Sequence, residues 1–204
     1  MNVKKGLLVG ATAFGLTLSG AGISSVSAAD SKTNVHASSV SGIHSSLTNQ
    51  EAAKTLNNIY DQAYIGQMPR EVHGLTVHKS TKEDVHQKLG EPEEPATKDN
   101  PFDRYHGSMG NPSYAISYDK NDKVNEIRNF GTNVERQTNL GGITPAVLSE
   151  QIGSPDKILD VPDTNELDYV YKTDDYELHF VIGDNPIIKG HKQTVNHVNL
   201  KAAK

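Results

Sequence analysis

Thr81-Lys82-Glu83-Asp84-Val85-His86-Gln87-Lys88-Leu89-Gly90-Glu91-Pro92 and, 63 residues further on, Thr144-Pro145-Ala146-Val147-Leu148-Ser149-Glu150-Gln151-Ile152-Gly153-Ser154-Pro155 carry one pattern twice. Both read Thr, three residues, an aliphatic, three residues, an aliphatic, Gly, any residue, Pro. Aliphatics four apart share one helical face, so Val85 with Leu89 and Leu148 with Ile152 must pack against another layer. Ser80 with Glu83 predicts a capping box for the first helix, and Thr144 caps the second with Pro145 at the first helical position. Gly90 and Gly153 supply a left-handed residue past each helix end, and Pro92 and Pro155 prevent continuation.

Strand signals follow each helix. Tyr114-Ala115-Ile116-Ser117-Tyr118 and Tyr176-Glu177-Leu178-His179-Phe180 alternate a large apolar residue with a small or polar one, the period of a half-buried strand. Val124-Asn125-Glu126-Ile127 and Val195-Asn196-His197-Val198 predict a later strand in each half, and Tyr105 and Tyr169 with Tyr171 mark an earlier one. Asp119-Lys120-Asn121-Asp122-Lys123 reads as a hairpin turn. Ahead of the first phrase, Thr48 and Glu51 predict a capping box. Ala52, Leu56, Ile59, Tyr60 and Ala63 then fall at helical spacing, and Val72 to Val77 reads as extended. The fold class is α+β: a tandem repeat of short helix plus antiparallel meander, with helices on one face of the sheet and the other face open to water.

Lys4 and Lys5 precede an uncharged, mostly small or apolar stretch from Gly6 to Ile23 and a small-residue exit through Val26 and Ala28, the signature of a secretory signal peptide cleaved after Ala28 or Ala29. The expected organisation is a signal over 1–28, a disordered linker rich in Ser, Thr, Asn and Ala over 29–47, the N-terminal helix with repeat 1 over 48–136, and repeat 2 over 137–204. A chain with no Cys has no disulfide, thiolate nucleophile or cysteine-ligated zinc. The net charge is −5, and removal of Lys4 and Lys5 makes it more acidic still, which argues against nucleic acid or an anionic membrane surface as partner.

The duplicated helix phrase ending Leu-Gly-x-Pro or Ile-Gly-x-Pro and followed by a meander resembles the beta-lactamase inhibitor protein fold. More closely it resembles the YjgB-like family of secreted proteins of Bacillus-type bacteria. The resemblance runs from about Ile65 to Leu200 and rests on Gly90, Pro92, Gly153, Pro155 and their helices. It implies a fold, and no activity or catalytic residue is carried over from it.

Two chemical motifs are nearly present. His106-Gly107-Ser108-Met109-Gly110 has His where a nucleophile elbow needs its first Gly, and Pro112 where it needs a helix. The Asp119, Asn121, Lys123 series lacks the Gly and Glu of a calcium loop. With no triad, phosphate loop or nucleotide fingerprint, the expectation is no enzyme and no cofactor. The strand parity selects Glu177, His179 and Val181, with Ala115 and Ser117, as solvent-facing. Glu177, His179 and His197, with Tyr105 and Tyr169 as aromatic anchors, are the candidate binding residues for a protein or cell-envelope polymer. His73, His78, Glu83 and His86 are the candidate metal ligands of an alternative, a metal-binding accessory protein; an enzyme of unrecognised type is a further alternative. The mature chain is expected to be an extracellular monomer.

Overall fold

A computed structural model describes residues 35–184 and 193–203, with side chains described from Asn49 onward. Three helices are present: α1 (Val35–Ala63), α2 (Lys82–Leu89) and α3 (Pro145–Ile152). Seven strands follow: β1 (Phe102–Tyr105), β2 (Tyr114–Tyr118), β3 (Val124–Asn129), β4 (Lys157–Asp160), β5 (Leu167–Thr173), β6 (Tyr176–Asp184) and β7 (Gln193–Ala202). The strands form one antiparallel open sheet in the order β1-β2-β3-β7-β6-β5-β4. Strands consecutive in sequence are neighbours in the sheet except β3 and β4, because β4 lies at the far edge and β7 pairs with β3. The β3 and β7 pairing, with Ile127 opposite Leu200 and Asn129 opposite Val198, makes the two meanders one surface.

The helices cover one face. Leu56 and Ile59 of α1, Val85 of α2 and Leu148 of α3 share an apolar cluster with Ile116, Ile127, Leu178, Phe180, Val198 and Leu200. Those strand residues all have the same parity, so the alternation in the sequence selects this layer. Full burial of one such side chain is worth about 1.5–3 kcal/mol.

The helix ends follow from single residues. In α2 the Thr81 hydroxyl accepts the Asp84 N–H at 3.2 Å while Asp84 Oδ2 accepts the Thr81 N–H at 2.7 Å. The capping box is therefore Thr81 with Asp84, not Ser80 with Glu83; the Ser80 hydroxyl instead accepts the Thr76 N–H at 3.0 Å. Thr144 caps α3 through the Val147 N–H, with Pro145 in the first turn. Gly90 and Gly153 have φ of 85° and 83°, but their ψ values of −172° and −166° place them beyond the ordinary left-handed helical region. That corner of backbone space belongs essentially to glycine.

Other expectations need correction. α1 begins at Val35, so the segment expected as a linker up to residue 47 is helical from 35 onward and Thr48 and Glu51 lie inside the helix instead of capping it. Residues 35–47 contain no Pro, and extending an existing helix fixes one residue per hydrogen bond where nucleation fixes several. Val72 to Val77 is no strand: Arg70–Val72 is a single 3-10 turn, and the His73 and Leu75 amides bond three residues back, to Arg70 and Val72. Its apolar residues are buried by a succession of tight turns through Gly74 at φ 91°. β4 went unread because all four of its residues are exposed on the sheet edge and carry no alternation. The two halves thus differ, with three strands after α2 and four after α3. The Asp119 to Lys123 hairpin, by contrast, is present as expected, with the Asp119 carboxylate accepting the Asn121 and Lys123 amides at 2.8 and 3.0 Å.

Candidate functional site

The face of the sheet away from the helices carries the residues of opposite parity. Register places Glu126, Lys201, Glu177 and Lys172 in one row across β3, β7, β6 and β5. The next row holds Arg104, Ala115, Arg128, Asn199, His179, Val170 and Lys157. His197, Val181, Asp168 and Leu159 lie in a third.

His179 is the centre of this surface. Its Nδ1 lies 2.7 Å from Asp168 Oδ2, and its Nε2 lies 3.6 Å from Glu177 Oε2. An ionised Asp168 can only accept, so Nδ1 carries the proton of the short bond and the ring orientation is fixed. Asp168 Oδ1, His179 Nε2 and Asn199 Oδ1 are buried atoms without a hydrogen-bond partner among the described residues. Glu177 also lies 4.0 Å from the Lys157 ammonium. Asp168 and Asn199 extend the binding set beyond the residues singled out from sequence; the signal for both was the pairing of β6 with β5 and β7, which the sequence of a single strand does not contain.

The expected parity is right and the expected exposure is not. Phe180 is inaccessible on the helix side, as the register requires, but His179 is only 3% exposed, and Val181, Ala115 and Ser117 are buried as well. Longer side chains on adjacent strands explain this: Ala115 lies between Arg104 and Arg128, whose guanidinium stacks 4.0 Å from the Phe102 ring centroid. His197 is half-buried and packs on Phe130 with ring centroids 5.2 Å apart. Burial, and then the positive charge of Arg128, hold the His197 imidazole below its ordinary pKa.

Tyr105 and Tyr169 do not lie on this face. Tyr105 is buried at 7% and Tyr169 packs partly buried against the same apolar cluster, each with the parity of the helix side. Their hydroxyl-bearing rings serve the core, so the reading of Tyr105 as an exposed anchor is corrected. The four candidate metal ligands are also dispersed. His73 is exposed in a turn, His78 hydrogen-bonds through its amide to the Val124 carbonyl, and Glu83 accepts from Gln87 at 3.0 Å. His86 instead meets Asp103 at 3.2 Å and Glu91 at 3.4 Å. Among the described residues no group of three His, Cys, Asp or Glu side chains converges to hold a metal.

Asp103 is a polar centre on the helix side. Its carboxylate is fully buried and accepts the Ala96 N–H at 2.7 Å, with Lys82 Nζ 3.7 Å away. Burial alone would push this carboxyl up. The Ala96 amide, His86, Tyr118 and Lys82 outweigh it and leave Asp103 below the ordinary carboxylate range. It ties α2 and the loop at residue 96 to β1.

Residues 56–201 match the family described as a domain of unknown function, DUF4309. The chain belongs to this family. It is 56% identical over 155 residues to the protein YjgB of Bacillus subtilis, an alignment covering 76% of this chain and 78% of that one. The crystal structure of B. subtilis YjgB, itself a DUF4309 family protein, superposes with a TM-score of 0.69 at 54% identity, over 76% of this chain and 99% of that chain. A cysteine-rich secretory protein from Staphylococcus aureus matches at a TM-score of 0.39 and 16% identity, over 65% of this chain and 47% of that one. The expected membership of the YjgB-like group is therefore correct.

Proposed function

We propose that this DUF4309 protein is an exported, monomeric, non-enzymatic recognition module, which meets a protein or cell-envelope polymer on the open face of its sheet around Glu177 and His179. The observation that carries this reading is the coincidence of three buried, unpartnered polar atoms, on Asp168, His179 and Asn199, in one patch of that face. A buried polar atom without a partner costs about 1–3 kcal/mol, so a patch that keeps three together is held at a cost in stability, and a partner reaches it as the covering side chains, Glu177 among them, move aside. The neighbouring rigid strands hold these atoms in place without loop ordering, which lowers the cost of association. Export is supported by Lys4 and Lys5 ahead of the apolar stretch from Gly6 to Ile23 and its small-residue exit through Val26 and Ala28, residues that lie outside the described part of the chain.

The two halves are read as copies of one ancestral unit of the inhibitor-like kind. Support comes from the shared helix phrase, from Thr caps at φ −94°, ψ 167° and φ −110°, ψ 166°, and from the nearly equal angles of Gly90 and Gly153. Non-enzymatic action is supported by the surroundings of Ser108, which sits exposed in a turn before Pro112 with no helix behind it.

Capture tests this reading. Immobilised mature protein is incubated with purified cell wall and, separately, with proteins of the culture medium. Saturable capture that falls about tenfold in Glu177→Gln, at unchanged melting temperature, is the expected result. Equal capture by the variant, or no saturable capture from either source, overturns it. Mass spectrometry of the medium tests export, and recovery of only the full-length chain in membranes overturns that part.

A further inference from the structure

On the helix side, away from the recognition patch, a cavity of about 310 Å³ lies between α1, the loop entering residue 70, the end of β3 and the loop that follows it. Its floor is apolar, with Ile59 and Leu140 buried beneath it, and its size is that of a small-molecule site. One wall is held rigid by hydrogen bonds. The Asn139 amide donates to Thr132 Oγ1 at 2.8 Å and to the Glu135 carbonyl at 3.0 Å, and the Arg136 guanidinium donates to the Asn196 carbonyl at 2.9 Å. Ordered loops so thoroughly tied are a usual place for binding residues.

Donors converge on this space. Asn129 is only 3% exposed, and its Oδ1 accepts the Gly131 N–H at 2.8 Å. That bond fixes which end of the amide is oxygen, so Nδ2, which donates to no described residue, is the end left for the cavity. Arg70 stands at the rim with φ 68°; its guanidinium lies 3.7 Å from Glu71 and donates to the Gly110 carbonyl at 3.4 Å, which leaves further N–H donors of its five for a ligand. Lys54 of α1 lines the same cavity with Glu51, while Glu71 stands beside Arg70 outside the lining.

We infer that this cavity binds a small organic carboxylate, its apolar body on Ile59 and Leu140 and its anionic end among Asn129 Nδ2, Arg70 and Lys54. The inference is independent of the recognition reading, since it uses none of the same residues. N-acetyl-leucine and N-acetyl-leucinamide, equal in shape and different in charge, are titrated into labelled protein and followed by amide NMR. The carboxylate is expected to give saturable shifts at residues 129–132 and 69–71, with the carboxamide about tenfold weaker or more. Arg70→Gln and Lys54→Gln change exposed side chains and are expected to weaken the carboxylate severalfold while leaving the fold intact. Asn129→Asp keeps the acceptor for Gly131 but replaces the donor with a charge, and is expected to abolish binding. Absence of saturable shifts, equal binding of acid and amide, or binding unchanged in both exposed variants would each overturn the inference.

Discussion

Phe180 and His179 are adjacent on β6, and neither is accessible to solvent, at 0% and 3%. Phe180 is covered by an apolar layer, with the Tyr171 ring edge-on at 5.7 Å. Among the described residues no helix lies above His179. It is covered by its own neighbours in the sheet, Val170 and Asn199 across the strands and the carboxylates of Asp168 and Glu177 beside it. Alternation along a strand therefore assigns a side chain to a face without saying how much of that face is wet. Where long side chains surround a shorter one on a broad sheet, the open face acquires a buried polar interior of its own.

The sharpest way to break the comparison is to truncate both residues. Phe180→Ala removes the largest fully buried side chain and is expected to cost about 3–5 kcal/mol in denaturant unfolding. A loss under about 1 kcal/mol would mean that the helix layer is not the main source of stability. His179→Ala is expected to cost about 1–3 kcal/mol, because it strips a hydrogen bond from Asp168 and leaves that carboxylate with one further unpaired oxygen. A double-mutant cycle with Asp168→Ala sharpens the point: strong coupling between the two residues is expected, and additivity would show that His179 is buried by packing alone.

Much of the helix face was legible in the sequence, since Val85, Leu148, Ile116, Leu178 and Phe180 announce themselves by period and by punctuation from Gly90 and Gly153. The open face was legible only in part. Glu177, His179 and His197 could be assigned to it by parity, but their partners Asp168, Asn199 and Arg128 come from other strands. Register across β5, β6, β7 and β3 is a long-range property that local pattern does not encode. Tyr105 and Tyr169 were misplaced for the related reason that one tyrosine in a short strand gives no phase. The 310 Å³ cavity was not legible at all, because its walls come from α1, the turn at Arg70 and the loop after β3.

A smaller effect concerns the helices that roof the first face. Gly90→Ala and Gly153→Ala are each expected to cost about 1 kcal/mol or more in thermal or denaturant unfolding. An added Cβ meets no atom within 4 Å at either position, so the cost reports backbone strain and not a clash. Equal losses at the two sites would support equivalent helix ends. Neutral or stabilising effects at both would mean that the glycines are not required by their φ of 85° and 83°.

The smallest effect separates the two faces by pH. On the helix side, Asp103 has a folded pKa below its unfolded value near 4, so its contribution is present above that value and lost as pH falls through the folded pKa. On the open side, His197 is held below its ordinary value of about 6.5 by burial and by Arg128. Below about pH 6.5 the unfolded chain takes up a proton that folded His197 resists, so stability declines as pH falls from there toward the folded pKa. Acidification should therefore weaken the open face first and the helix face only near pH 4 and below. Denaturant unfolding at intervals between about pH 7 and pH 3.5 resolves the two windows. His197→Gln is expected to flatten the upper part of the profile and leave the lower drop, whereas Asp103→Asn should leave the upper part and reduce the lower drop, which Asp84 and Asp119 share, at a lower overall stability. An upper window unaffected by His197→Gln would assign the near-neutral loss to another histidine and remove pH as a means of telling the faces apart.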